Sequence, residues 1–114
     1  MNNEGWYIKA RIVRWVADEP WPGIVEFGFP DAAGRNWSFI DKYPVVTAAA
    51  CFSTSDFPIP AIVGCEIISE SRDSEGKEIV RISTERPWGI SATDGTDQFI
   101  VLAQQLMERP ASKG

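Results

Sequence analysis

Residues 61–84 of this chain read AIVGCEIISESRDSEGKEIVRIST, and this is the stretch that decides the fold. Its two arms, 61–71 and 79–84, are rich in β-branched residues, which favour strands. The segment RDSEGKE between them holds Asp73 and Gly76, residue types that favour a tight turn. The pattern predicts an antiparallel β-hairpin.

A second hairpin is predicted nearer the N-terminus. Residues 24–29 (IVEFGF) and 36–40 (NWSFI) are joined by PDAAGR, in which Asp31 and Gly34 supply the turn. Alternation along the two arms predicts one shared apolar face, made of Val25, Phe27, Phe29, Trp37 and Phe39.

The first strand is predicted over residues 7–16 (YIKARIVRWV), where apolar and polar side chains alternate at first. The alternation slips at Arg14, because Val13 and Trp15 are apolar on the side that had been polar. We expect a β-bulge or the end of the strand there. The following DEPWPG, residues 18–23, predicts a loop, since two prolines and a glycine do not continue a ladder.

Two segments have weaker patterns. Residues 41–60 contain three prolines and no sustained period, which predicts a long connection with a short helical turn around 47–52. Residues 98–107 fit a short strand that continues into one or two helical turns before Pro110. The last residues, 109–114, are expected to form a disordered tail.

Together these elements predict a single all-β domain over residues 1–114, mainly antiparallel. Five or six short strands with frequent turns are typical of a small barrel or sandwich, here with a short C-terminal helical turn. We favour the barrel, because closure removes exposed strand edges.

Composition narrows the classes of partner and location. The net charge of −5 disfavours nucleic acid and favours a basic protein as partner. The sequence has no apolar run of about 18 residues and no signal-like start, so we predict a cytoplasmic protein without a membrane span. Cys51 and Cys65 are predicted to be reduced and buried.

Catalytic signatures are missing from the sequence. There is no histidine, no CxxC, no phosphate-binding loop and no dinucleotide motif, so we predict no metal, no cofactor and no enzymatic activity. Carboxylates occur as Asp18–Glu19, as Asp94 with Asp97 and within 66–78, where turn formation or solvation explains them. An enzyme using carboxylates alone is the least favoured alternative.

The five tryptophans are the least ordinary feature. Trp6, Trp15 and Trp37 belong to predicted strands and suit a core. Trp21 and Trp88 lie in the loops PWPG and RPWG, where each ring either covers an end of the barrel or anchors a partner. As partner-binding residues we nominate the two loop tryptophans with nearby acidic residues: Trp21, Trp88, Asp18, Glu19, Asp73 and Glu75.

The positions of the glycine, proline and aromatic residues along the chain resemble those of a known type of protein. The segments 21–46, 57–67 (FPIPAIVGCEI) and 86–90 (RPWGI) resemble a type of small bacterial β-barrel protein, and chains of this build are similar to immunity proteins of bacterial toxin systems. The likeness extends from about Trp6 to Val101 and implies no particular functional residue. The architecture is also similar to the six-stranded barrel of translation factors.

Two binding functions follow as expectations. The first is a non-catalytic protein that binds a basic protein, most concretely an immunity protein that covers a toxin. The second is an accessory β-barrel module that binds a cellular component such as the translation apparatus. The second would be favoured if Lys9, Arg11 and Arg14 formed one continuous basic face.

Overall fold

A computed structural model describes residues 5–108. In this range seven β-strands and two short 3-10 turns follow one another. The strands are β1 Trp6–Ala17, β2 Ile24–Pro30, β3 Asn36–Lys42, β4 Ile59–Arg72, β5 Glu78–Ser83, β6 Gln98–Leu102 and β7 Leu106–Glu108. The 3-10 turns are Tyr43–Val45 and Ala103–Gln105.

The strands form one antiparallel sheet that curls into a half-barrel, in the order β3-β2-β1-β4-β5-β6, with β7 also paired to β1. The predicted all-β, mainly antiparallel class is therefore confirmed, with seven strands in place of the expected five or six. Strand β1 is central because one of its edges pairs with β4 and the other with β2 and β7.

Both predicted hairpins form. Phe27 pairs with Phe39 and Phe29 with Trp37, as the alternation indicated. In the β2–β3 turn, Gly34 adopts a φ of 87° and its N–H donates to the Asp31 carbonyl, while the Asp31 carboxylate accepts from the Ala33 and Arg35 amides. Only glycine adopts this left-handed conformation without strain.

The expected irregularity in β1 is also present. Its register with β2 shifts between Ile12 and Arg14. Because the bulge leaves Val13 on the outer face, Trp15 returns to the inner face, opposite Val25.

The core lies on the concave face of the sheet. It contains Ile8, Ala10 and Ile12 of β1, and a group of aromatic rings with centroids 4.9–5.7 Å apart, namely Phe27, Phe29, Trp37, Phe39 and Phe99. Cys51 and Cys65 are buried and unbonded to each other, as predicted.

Loops cover the gap between the two outermost strands. The Ala32 amide in the β2–β3 turn donates to the Ile100 carbonyl of β6, and the Thr93 amide of the β5–β6 loop donates to the Ser38 carbonyl of β3. These hydrogen bonds satisfy backbone carbonyl groups on the edge strands β3 and β6. In a closed barrel, the two edge strands would pair with each other.

Two local predictions need correction. The helical turn expected around 47–52 instead occurs at Tyr43–Val45, where Pro44 presets the backbone at the start of the turn. After β6, a single 3-10 turn at Ala103–Gln105 leads into strand β7, because pairing with Trp6–Ile8 extends the chain there. The tail predicted for 109–114 lies outside the described residues.

Candidate functional site

Two loops leave the sheet at the same end. Residues 18–23 connect β1 to β2, and residues 43–58 connect β3 to β4. The register aligns Ala17, Ile24 and Lys42 across β1, β2 and β3, and the Tyr43 amide donates to the Gly23 carbonyl. We call residues 18–23 and 43–58 the acidic end, because they contain Asp18, Glu19 and Asp56 but no lysine or arginine.

Trp21 stands out from the acidic end with 80% of its surface exposed, which is the largest exposure of any large hydrophobic side chain in residues 5–108. Its loop is closed by a hydrogen bond from the Gly23 amide to the Pro20 carbonyl. Gly23 lies directly under the ring of Trp15, where a Cβ atom would collide with the indole. The loop is therefore held against the core by Trp15 and Gly23, while Trp21 points to solvent.

The carboxylates next to Trp21 are accessible. Asp18 and Glu19 are both exposed, and the Asp18 Oδ1 atom accepts a 2.9 Å hydrogen bond from the Trp15 indole N–H. That bond fixes the orientation of Asp18 relative to the loop. Trp21, Asp18 and Glu19 are therefore exposed together in one loop.

Phe52 lies in the other loop of the acidic end and was missed in the sequence, where it falls in the long connection. Its side chain is 60% exposed, second only to Trp21 among the large hydrophobic residues described. The neighbouring Cys51 is buried, and Phe52 and Ser55 exchange hydrogen bonds of 2.8 and 3.0 Å, which hold the turn. The available signal was a phenylalanine directly before the polar run STSD, residues 53–56.

Trp88 has a different environment. It is half-buried on the outer face of the sheet, where its ring packs over Gly64 and lies 5.9 Å from Tyr7, centroid to centroid. It also lines a groove of about 380 Å³ whose other walls are Pro44–Ala48 and Pro60–Ile62. The groove borders the acidic end, with Trp88 as one wall.

Asp73 and Glu75 are not brought to this surface. They lie in the β4–β5 turn, and β4 continues past its last pairing with β1, at Cys65, away from the β1–β2 loop. The Asp73 carboxylate accepts from the Glu75 and Lys77 amides and so stabilises its own turn. The two halves of the nominated acidic set therefore lie at opposite ends of the sheet.

The three basic residues of β1 differ in their ion pairing. Lys9 and Arg11 are exposed on the outer face, without an ion pair among residues 5–108. Arg14 is bonded to Glu26, which also accepts from the Ser38 hydroxyl. These hydrogen bonds, from Ser38 first and then from Arg14, lower the pKa of Glu26.

The cysteines are poor candidates for a nucleophile. Burial raises the pKa of both thiols, and for Cys65 burial together with Glu66 raises it to about 12. A thiol with such a pKa is protonated at neutral pH and reacts slowly. In the described part of the chain, no three side chains of the types that bind metals are grouped closely enough to hold an ion.

No helix within residues 5–108 is both apolar and long enough to cross a membrane. Comparison with models of protein families, with curated proteins and with solved structures finds no match for this chain.

Proposed function

We propose that this chain is a non-catalytic binding protein for a basic protein partner, which it contacts through the acidic end. The observation that carries the proposal is Trp21, exposed over 80% of its surface beside two exposed carboxylates. Tryptophan is enriched among residues that dominate binding energy, and carboxylates around it complement lysine and arginine.

Phe52, in the 43–58 loop of the acidic end, offers a second exposed aromatic ring. A partner that covers both rings removes two large exposed apolar side chains from water without reordering the sheet. The groove beside Trp88 can accept an apolar side chain of the same partner, so Trp88 acts as a wall of that groove. An immunity protein that covers a bacterial toxin is the most concrete form of this proposal, in line with the resemblance of the chain.

Three carboxyl groups, those of Glu26, Asp31 and Asp94, have pKa values shifted away from those of catalytic acids. A carboxylic acid that donates a proton at neutral pH needs a raised pKa. The hydrogen bonds that Glu26 and Asp94 accept lower their pKa values. For Asp31, burial favours a higher pKa, but hydrogen bonds from Trp37, Arg35 and Ala33 outweigh it and lower the value.

Paired affinity capture tests the proposal. Wild-type protein and Trp21→Ala are used as baits in a lysate of the source organism, with Ile68→Ala as the matched control. Ile68 is also an exposed apolar residue, at 43%, but lies in the distal half of β4. We expect a basic protein that wild type and Ile68→Ala retain and that Trp21→Ala loses, with affinity reduced about 30-fold or more.

Charge variants make the test specific. Asp18→Asn with Glu19→Gln removes two charges from the acidic end, and Asp73→Asn with Glu75→Gln removes two from the opposite end. We expect the first pair to slow association at low salt and the second to have little effect, because charges are screened beyond about 8 Å at physiological ionic strength. Equal binding by Trp21→Ala and wild type, or equal effects of the two charge pairs, would contradict the proposal.

A further inference from the structure

A second candidate site lies on the outer face of β1, β2 and β3. The register places Arg11, Gly28 and Ser38 side by side across these strands. Phe27 and Phe29 point into the core, so the position of Gly28 faces outward. Because glycine has no side chain, the surface there forms a depression of about 280 Å³, which we call the Gly28 depression.

The close approach of β2 and β3 requires a residue without a side chain at position 28. A Cβ atom at residue 28 would collide with the backbone carbonyl oxygen of Trp37. Glycine within a strand often marks such an approach, and here it also leaves the floor of the depression uncovered. The depression is lined by Arg11, Val13, Glu26, Phe27, Gly28, Phe29, Pro30, Asn36, Trp37 and Ser38.

The polar groups around the Gly28 depression favour an anion. The carboxylate of Glu26 is already occupied by Arg14 and by the Ser38 hydroxyl. Arg11 is exposed and makes no ion pair or hydrogen bond through its side chain within residues 5–108, and the Asn36 amide is likewise without a partner there. One guanidinium is thus left uncompensated, and the same depression is lined by an amide that can donate two hydrogen bonds.

The geometry points to a binding site for a small monocarboxylate with a short apolar body. The planar guanidinium of Arg11 matches a carboxylate, and the exposed side chains of Val13 and Pro30 offer an apolar wall. A single uncompensated guanidinium balances one negative charge, so a monoanion fits better than a dianion such as phosphate. A volume of about 280 Å³ is slightly below the usual range for drug-sized ligands, so the ligand is small. This site is independent of the acidic end.

The experiment is a titration of ¹⁵N-labelled protein with benzoate, followed by amide and Arg11 side-chain resonances, with benzamide as the uncharged control of the same shape. We expect saturable shifts at Gly28, Ser38 and the Arg11 Nε–H with benzoate and much smaller ones with benzamide. Equal responses to the two compounds, or shifts scattered over the surface, would overturn the site.

Two variants separate a specific site from general attraction. Arg11→Gln is expected to weaken benzoate binding about three- to tenfold. Lys9→Gln is the matched control, since Lys9 is on the same face of β1 but does not line the depression. It should leave the affinity within about twofold. If both variants weakened binding equally, benzoate would be attracted only by the overall positive charge of β1, and the specific site would be refuted. Trp21→Ala should bind benzoate as wild type does, so failure of this site and failure of the proposed function are distinguishable.

Discussion

The two loop tryptophans should differ sharply in what they contribute to stability. Only about one fifth of Trp21 is covered. With up to about 250 Å² available to a buried tryptophan, the covered part is about 50 Å², which at about 25 cal/mol per Å² corresponds to at most about 1.3 kcal/mol. Trp88 packs over Gly64 and beside Tyr7, so Trp88→Ala removes this packing and should cost about 3 kcal/mol or more.

Urea unfolding followed by far-ultraviolet circular dichroism measures this difference without depending on tryptophan emission. For a domain of this size the unfolding free energy falls by about 1–3 kcal/mol per molar urea. With the same slope for both variants, the drop in midpoint for Trp88→Ala should therefore be at least about twice the drop for Trp21→Ala. A loss of about 3 kcal/mol for Trp21→Ala would place that ring in the core and refute its role as an exposed anchor. A negligible loss of unfolding free energy for Trp88→Ala would show that Trp88 is not packed against the sheet, and would make it a candidate anchor for a partner.

Three further predictions concern single groups. Both cysteines should resist a thiol reagent in the folded protein and react rapidly in urea, because burial raises their pKa values; rapid labelling of the native protein, read by mass spectrometry, would contradict this. The lowered pKa of Glu26 means that its contacts stabilise the protein above the ordinary carboxyl pKa of about 4.3 and cease to do so as the pH falls through the lowered value. The difference in unfolding free energy between wild type and Glu26→Gln should accordingly shrink from about pH 6 to about pH 3, and a constant difference would show that the charge of Glu26 contributes nothing. Gly34→Ala should cost about 1 kcal/mol or more by thermal unfolding, because φ is 87° there, and an unchanged midpoint would show that the turn tolerates a side chain.

Much of the sheet could be predicted because its signals are local. Alternating apolar residues identify the inner face of a strand wherever one face is buried, as in Val25–Phe29. The bulge in β1 was visible as a slip in that alternation at Arg14. The segments around 47–52 and 98–107 were harder, because short apolar runs fit a helix as well as a strand.

The candidate site was predictable only in part. The sequence put Trp21 next to Asp18 and Glu19, and residues so close along a short loop stay together in any fold. It could not show that Asp73 and Glu75 lie at the other end of the sheet, because that depends on the register between β1 and β4. Nor could it show that Phe52 is exposed in a loop that leaves the same end of the sheet as the β1–β2 loop, because that depends on how the β3–β4 connection packs.

The sequence by itself determined the β class, the two hairpin turns and the acidic charge of the chain, since these follow from backbone preferences and residue counts. The tertiary structure alone decided which tryptophan is exposed and which is packed. Trp21 and Trp88 lie in similar Pro/Gly loops, but Trp88 meets the bare backbone of Gly64 on a distant strand, whereas Trp21 extends past a loop already closed by Trp15 and Gly23. Exposure depends on what other strands bring to the same place, and that contact has no local signal in the chain.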